Sequence, residues 1–312
     1  MRVVFLGTPE FAVPTLEGLV ETGHEVAAVL TQPDRPKGRG RELAAPPVKQ
    51  ATLRLGLPIH QPERIRAPEP LALLRGLCPD VMVVVGYGQI IPQAIIDIPP
   101  HGIVNVHASL LPKYRGAAPV QWAIANGETE TGVTTMRIDA GLDTGAILLQ
   151  RDTGIGTDET AAELSARLAR IGARLLVETL AGLERGTIVP CPQDASQATL
   201  APVLKKEDGH IDWTRPAHEI LNRIRGFTPW PGCYTYFRGK VLQILKARVA
   251  DNSVGDPGSA HPTRSRLVVT CGGGTAVEIL EAQIEGKKRM DAAAFLNGHR
   301  LVENELLGEM SQ

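Results

Sequence analysis

The chain has 312 residues, 43% hydrophobic and 21% charged, with 33 Lys and Arg against 34 Asp and Glu for a net charge of -1. That length exceeds one small core and suits two domains, the composition excludes a largely disordered chain, and the balanced charge excludes a global field drawing in nucleic acid. A polyanionic partner would have to be met by local patches. Cys78, Cys191, Cys233 and Cys271 stand far apart, without the paired spacing of a zinc site or disulfide framework. The opening MRVVFLGTPEF holds too short an apolar run for a secretory leader, and no run approaches the roughly 20 apolar residues that span a bilayer. The expectation is a cytoplasmic protein with no metal and no membrane contact.

Val3 to Leu6 and Glu25 to Thr31 read as strands, flanking a helical pattern through Val13, Leu16, Leu19 and Val20. Strand, helix, strand predicts a parallel βαβ start. The turn between them, GTPEFA at 7–12, has one glycine where a dinucleotide fingerprint needs three, so a tight turn with Pro9 at a helix start is the better reading. QPDRPKGRGR, 32–41, places Arg35, Lys37, Arg39 and Arg41 among prolines and glycines. A solvated loop is the plain reading; following the second strand, it would also suit the phosphates of a large substrate.

Val81 to Val85, GIVNVH (102–107), GVTTMRI (132–138) and AILLQ (146–150) supply further strands, with a helix-compatible stretch from Val120 to Asn126. Residues 1–189 therefore read as one α/β domain with a Rossmann-like open, mostly parallel sheet. Asn105 and His107 alternate on their strand, so their side chains leave one face about 7 Å apart, near the carboxyl end where open α/β sheets put their sites. Spacing alone leaves a structural pair equally open. Ser109 lacks the Gly-x-Ser-x-Gly elbow that would project a nucleophile. In DAGLDTG, 139–145, two glycines bracket Asp143 in a turn between strands. A solvated carboxylate is the plainer reading, but a turn lying beside the Asn105 strand would let Asp143 hold and polarise His107. Asn, His and Asp are then parts for acyl transfer to an amine.

A long helix follows, with Thr157 as predicted N-cap, leucines at helical spacing and a stop at Gly186. Residues 190–208, rich in Pro, Ser, Gln and Thr, read as a linker. From 209 to 312, Pro216 opens a short helix, CYTYF turns at Arg238-Gly239 into KVLQILKARVA, and RLVVTC turns at Gly272 to Gly274 into AVEILEAQIE. These predict a small β-barrel of the oligonucleotide-binding type.

The stretches GTPEFA, TQPDRPKGRGR, PPVK, VMVVVGYGQIIP, NVHASLLPKYRGAAPVQWAI, GLDTGAI, IDW and FTPWPG follow the order found in the folate-dependent formyltransferases, which this chain resembles over both domains. Within that family it is most similar to the members that act on charged initiator tRNA. The resemblance implies Asn105, His107 and Asp143 as catalytic residues and 10-formyltetrahydrofolate as donor, with no metal. It places the folate along Val85, Gly86, Tyr87, Gln89, Ile90, Ile91 and Pro92, along Ser109, Leu110, Leu111 and Pro112, and along Ile138, Asp139, Ala140 and Gly141. It implies initiator methionyl-tRNA as partner, with Arg35, Lys37, Arg39 and Arg41 in the basic loop and Lys205, Lys206, Lys287, Lys288 and Arg289 further on as tRNA contacts. A monomer is the default. Formylation of an aminosugar nucleotide or of glycinamide ribonucleotide, hydrolysis or oxidation of formyl-folate, and RNA binding on an inactive scaffold are rivals. The basic loop and β-rich second domain argue against the other enzymes, and the intact Asn, His and Asp argue against the inactive scaffold.

Overall fold

The computed structural model describes residues 1–37 and 42–308, which divide into two compact units. Arg39 and Arg41 lie outside the described residues.

The first unit comprises Met1–Pro119, Glu130–Gly154 and Ser165–Ala201. Its strands are β1 (Arg2–Gly7), β2 (Glu25–Leu30), β3 (Arg35–Lys37), β4 (Glu42–Ala44), β5 (Ile59–His60), β6 (Val81–Val85), β7 (Ile103–His107), β8 (Arg115–Gly116), β9 (Glu130–Arg137), β10 (Ile147–Gly154) and β11 (Leu200–Ala201). Helices α1 (Val13–Glu21), α2 (Pro47–Arg54), α3 (Pro68–Leu77) and α4 (Gln93–Ile96) follow in its first half; α5 (Pro119–Ala125) and α6 (Ala161–Glu184) begin near or beyond its borders. Seven strands form one sheet in the order β10-β9-β7-β6-β1-β2-β5. β7, β6, β1, β2 and β5 run parallel, while β9 pairs antiparallel with both β7 and β10. The sheet is thus open and mostly parallel, as expected, but mixed at one edge. Its inner strands β6 and β7 are buried throughout, which is why their apolar runs scarcely alternate.

The helix cap sits one turn later than the sequence suggests. Thr160 donates its amide and hydroxyl to the Glu163 carboxylate at 2.9 and 2.7 Å, so a capping box starts α6 there rather than at Thr157. Gly186, at φ +66, ends that helix in the left-handed region. The described part of the basic stretch departs from a plain loop. β3 and β4 pair as an antiparallel ribbon, and its base is held by Gln61, which donates to the Gln32 carbonyl at 2.9 Å and to Asp34 at 2.8 Å.

The second unit comprises Val120–Thr129, Ile155–Leu164 and the residues from Pro202 onward. It contains α7 (Ala217–Gly226), β12 (Cys233–Phe237), β13 (Lys240–Ala250), β14 (Ser259–Pro262), β15 (Leu267–Thr270), β16 (Ala276–Ile284), β17 (Met290–Asp291), α8 (Ala292–Gly298) and β18 (Glu305–Leu306). The sheet runs β12-β13-β16-β15-β14-β18, with β17 beside β16, and every pairing is antiparallel. It is a half-barrel: β12 and β18 do not pair as strands, and the Gly308 amide reaches the Tyr236 carbonyl at 2.9 Å. Alternation in CYTYF puts Cys233, Thr235 and Phe237 inward, where Phe237 joins a core with Trp213, Ile224, Phe227 and Phe295. Arg238 and Gly239, both at positive φ, make the tight turn into β13. Among the described residues no helix is long and apolar enough to cross a membrane, and no cluster of His, Cys, Asp and Glu is arranged to hold a metal.

Candidate active site

Asn105 and His107 sit on β7, opposite Met136 and Thr134 of β9, in the interior of the sheet. They are 9% and 6% exposed. Among the described residues nothing hydrogen-bonds the Asn105 carboxamide. The little exposure that Asn105 keeps falls on this amide, which stays open to water or to a ligand.

His107 is held from the chain just beyond it. Its Nε2 lies 2.9 Å from the Tyr114 carbonyl, and Tyr114, at φ +60, is fixed in turn by its own amide donating to Thr199 Oγ1 at 2.8 Å. A carbonyl can only accept, so Nε2 carries a proton whether the ring is neutral or cationic. The proton that comes and goes is therefore on Nδ1. Nδ1 faces the Asp143 carboxylate at 3.7 Å, and that carboxylate accepts the Gly116 amide at 2.9 Å.

The turn carrying Asp143 is built tightly. Asp139 accepts from the Gly141 amide at 3.0 Å and the Thr144 hydroxyl at 2.7 Å, and Asp143 itself adopts φ +51, a region asparagine and aspartate tolerate better than most. A Cβ on Gly145 would lie 1.8 Å from the Arg137 carbonyl oxygen, so only glycine fits. Because β9 is antiparallel, the turn leaves it opposite the start of β7, where the Ile138 amide donates to Ile103 at 2.9 Å, and folds back along β7 before Asp143 reaches His107. From outside, the Gln193 carboxamide donates to the carbonyls of Asp143 at 2.9 Å and Gly145 at 2.7 Å, and accepts from Arg115 Nε and Nη2 at 3.0 and 2.7 Å.

The other residues named from the sequence fall around this centre as follows. Val85 closes β6 and is buried; Gly86, at φ +56, is exposed. Tyr87 turns into the core, where burial pushes its hydroxyl up to about 12, and its carbonyl accepts from Thr8 and Gln32. Gln89 ties the following segment to the Ile65 amide at 2.8 Å. Ile90 is 90% exposed, Ile91 is buried and Pro92 caps α4. Ser109 is buried and donates its hydroxyl to the Lys113 carbonyl at 2.6 Å, an arrangement that leaves it no role as a nucleophile. Leu111 donates its amide to Thr134 and accepts from Gln150, while Leu110, Pro112 and Ile138 are half-buried. Asp139, Ala140 and Gly141 are exposed, with the Asp139 carboxylate engaged in its own turn. Arg35 is exposed and Lys37 ends β3. In the second unit Lys205, Lys206, Lys287, Lys288 and Arg289 are exposed, and Arg289 pairs with Glu281.

Sequence reasoning missed the Tyr114 carbonyl, the Gly116 amide, Thr199 and Gln193. The first two are backbone groups with no side-chain signature, and the last two lie in an aperiodic stretch.

An α/β unit presenting Asn, His and Asp in this way, with an antiparallel half-barrel after it, is the build of a formyl transferase. Residues 1–180 match the formyl transferase family, and residues 203–300 match the formyl transferase C-terminal domain. The chain belongs to the methionyl-tRNA formyltransferase family: it is 66% identical over 310 residues to the methionyl-tRNA formyltransferase of Solibacter usitatus, covering 99% of each chain. It is 58% identical to that of Koribacter versatilis over 312 residues, the full length of both. Among solved structures, an N-formyltransferase from Helicobacter canadensis, in complex with folinic acid and dTDP-3-aminofucose, shares the fold with a TM-score of 0.69 at 19% identity, covering 91% of this chain and 99% of that one.

Proposed function

We propose that the protein transfers a formyl group from 10-formyltetrahydrofolate to the α-amine of methionine on charged initiator tRNA. The observation that carries the chemistry is an Asn105 carboxamide, little exposed and without a partner among the described residues, on the same strand face as an imidazole whose one exchanging nitrogen faces Asp143. The acceptor follows from relatives alike over their whole length, each a methionyl-tRNA formyltransferase.

The folate supplies a formyl group activated on nitrogen. Residues that fit it are the exposed apolar Ile90, the half-buried Leu110 and Ile138, and the open backbone of Gly86, Ala140 and Gly141, which together suit a flat ring bearing amide groups. Val85, Tyr87, Ile91, Ser109 and Leu111 are buried and shape those segments, as do the half-buried Gln89, Pro92 and Pro112, and the exposed Asp139 has its carboxylate engaged in its own turn.

Asn105 donates its side-chain N–H to the formyl oxygen and holds the negative charge that grows there as the amine attacks. His107 keeps its Nε2 proton on the Tyr114 carbonyl and exchanges a proton at Nδ1. The Asp143 carboxylate, oriented by the Gly116 amide, stabilises the imidazolium whenever Nδ1 is protonated. The proton leaving the amine is thereby returned to the departing folate nitrogen without a free ion forming in the site.

The exposed Arg35 of the first unit and the exposed Lys205, Lys206, Lys287, Lys288 and Arg289 of the second are assigned to tRNA phosphates, and Lys37, Arg39 and Arg41 are assigned to them from the sequence. Each unit encloses its own core, consistent with a monomer. Four free cysteines, two of them exposed, fit a cytoplasmic location.

The test is to supply 10-formyltetrahydrofolate with methionyl initiator tRNA, methionyl elongator tRNA and an aminosugar nucleotide in parallel. Formylation of the initiator alone is expected; product on the sugar alone overturns the acceptor while retaining the chemistry.

A further inference from the structure

From Val189 to Asp194 the only regular feature is a bridge between Cys191 and Ile147, and of these six residues Gln193 alone turns inward. All of its hydrogen-bonding groups are used. Nε2 holds the carbonyls of Asp143 and Gly145, and Oε1 takes both Nε and Nη2 of Arg115. Arg115 lies between Tyr114, whose carbonyl orients His107, and Gly116, whose amide holds the Asp143 carboxylate. One carboxamide therefore spans the two segments that set the imidazole and its carboxylate.

We propose that Gln193 is a positioning residue for formyl transfer, clamping the 139–145 turn to the 114–116 segment so that Asp143 faces Nδ1 of His107. The proposal rests on the catalytic reading of Asp143 given above. The chemistry of the clamp is specific. Two donors on one atom and two acceptor sites on its neighbour are found only in a side-chain amide, and asparagine is a methylene too short. Glutamate would keep the Arg115 pair but turn a lone pair on the two carbonyls. The turn has need of an outside hold, because Asp143 sits in the left-handed region and Asp139, Ala140, Gly141, Leu142 and Thr144 around it are exposed.

The test is steady-state kinetics on the full-length protein with Gln193→Ala and Gln193→Glu, each in the wild-type and the Asp143→Asn backgrounds. A displacement of about 1 Å in a catalytic group costs on the order of 100-fold. In the wild-type background either substitution is expected to lower kcat about 10- to 100-fold, with KM for charged tRNA within about 2-fold. In the Asp143→Asn background the further loss should stay below about 2-fold, because the residue that Gln193 positions is already disabled. The near-isosteric glutamate variant carries the comparison should the alanine variant fail to fold. Rates within about 2-fold of wild type, equal losses in both backgrounds, or a raised tRNA KM at constant kcat would each overturn the clamp. If Asp143→Asn alone keeps more than about a tenth of the rate, the catalytic reading of Asp143 fails and takes the clamp with it.

Discussion

Nδ1 of His107 and the Asp143 carboxylate stand 3.7 Å apart, just beyond hydrogen-bonding distance, while the opposite ring nitrogen is committed to a backbone carbonyl. A proton on Nδ1 would turn this approach into a charge-assisted contact, and the proposed mechanism places its proton exchange at that nitrogen.

On the proposed mechanism Asn105→Ala removes an oxyanion donor and is expected to lower kcat about 100- to 1,000-fold. His107→Ala and Asp143→Asn remove the proton-exchanging group and its counter-charge, for losses of about 100- to 10,000-fold. Asparagine is the informative replacement for Asp143, because it tolerates φ +51 and can still accept the Gly116 amide. Circular dichroism should show all three folded. A variant retaining more than about a tenth of the rate would strip that residue of its role.

Gly145→Ala and Gly186→Ala should part company. An alanine Cβ at 145 meets the Arg137 carbonyl, so the Asp143 turn must shift, at about 1–3 kcal/mol of stability and a loss of kcat on the order of 100-fold. At 186 the added Cβ meets open space, so only the left-handed backbone is strained, for about 1–2 kcal/mol with kcat kept. Thermal melts and turnover on both variants decide it; equal kinetics would mean that the turn is compliant.

Glu278 gives the second unit an acid-sensitive point. The Arg266 guanidinium, and with it Arg248, holds this buried carboxyl below the ordinary glutamate value, against burial that pushes it up. A depressed native value means stability that is present above the ordinary value and lost as pH falls through the depressed one. Glu278→Gln should therefore lower the melting temperature at neutral pH and flatten its decline in acid. The cost is about 1 kcal/mol, since both guanidinium groups are half exposed. A variant melting curve parallel to wild type at every pH would refute the assignment.

Arg35→Ala, Arg39→Ala and Arg41→Ala are each expected to raise KM for charged tRNA and to reduce the slope of its salt dependence by about 1 for each phosphate left without its arginine. KM for the folate should not change. An unaltered salt slope would return these arginines to simple solvation.

The sequence made the inner sheet legible because β6 is an uninterrupted valine-rich run and α1 repeats its apolar residues at helical spacing. Asn105 and His107 were legible through the two-residue period of a strand. Strand direction was not, since GVTTMRI reads alike in either sense, and that direction decides how the Asp143 turn approaches His107. The cap moved from Thr157 to Thr160 because each threonine has an acidic residue nearby and only the reciprocal bonds to Glu163 distinguish them. The incomplete closure of the half-barrel was hidden for a similar reason: alternation reports which face is buried, not whether the last strand meets the first. The Tyr114 carbonyl, the Gly116 amide and Gln193 follow from tertiary structure alone.

The span from Cys191 to Ala201 is pinned at both ends, by the Cys191 bridge to Ile147 and by the pairing of β11 with β8, where Arg115 and Gly116 lie. One residue inserted or deleted between Cys191 and Gln193 would shift the chain by about 3.3 Å and carry Gln193 out of reach of Asp143, Gly145 and Arg115. The exposed positions after Gln193 are free to change identity, while the step from Cys191 to Gln193 is fixed in length. A stretch that looks by composition like a spacer opens as a ruler, and variation among descendants of this chain should appear between Cys191 and Gln193 as substitutions without gaps.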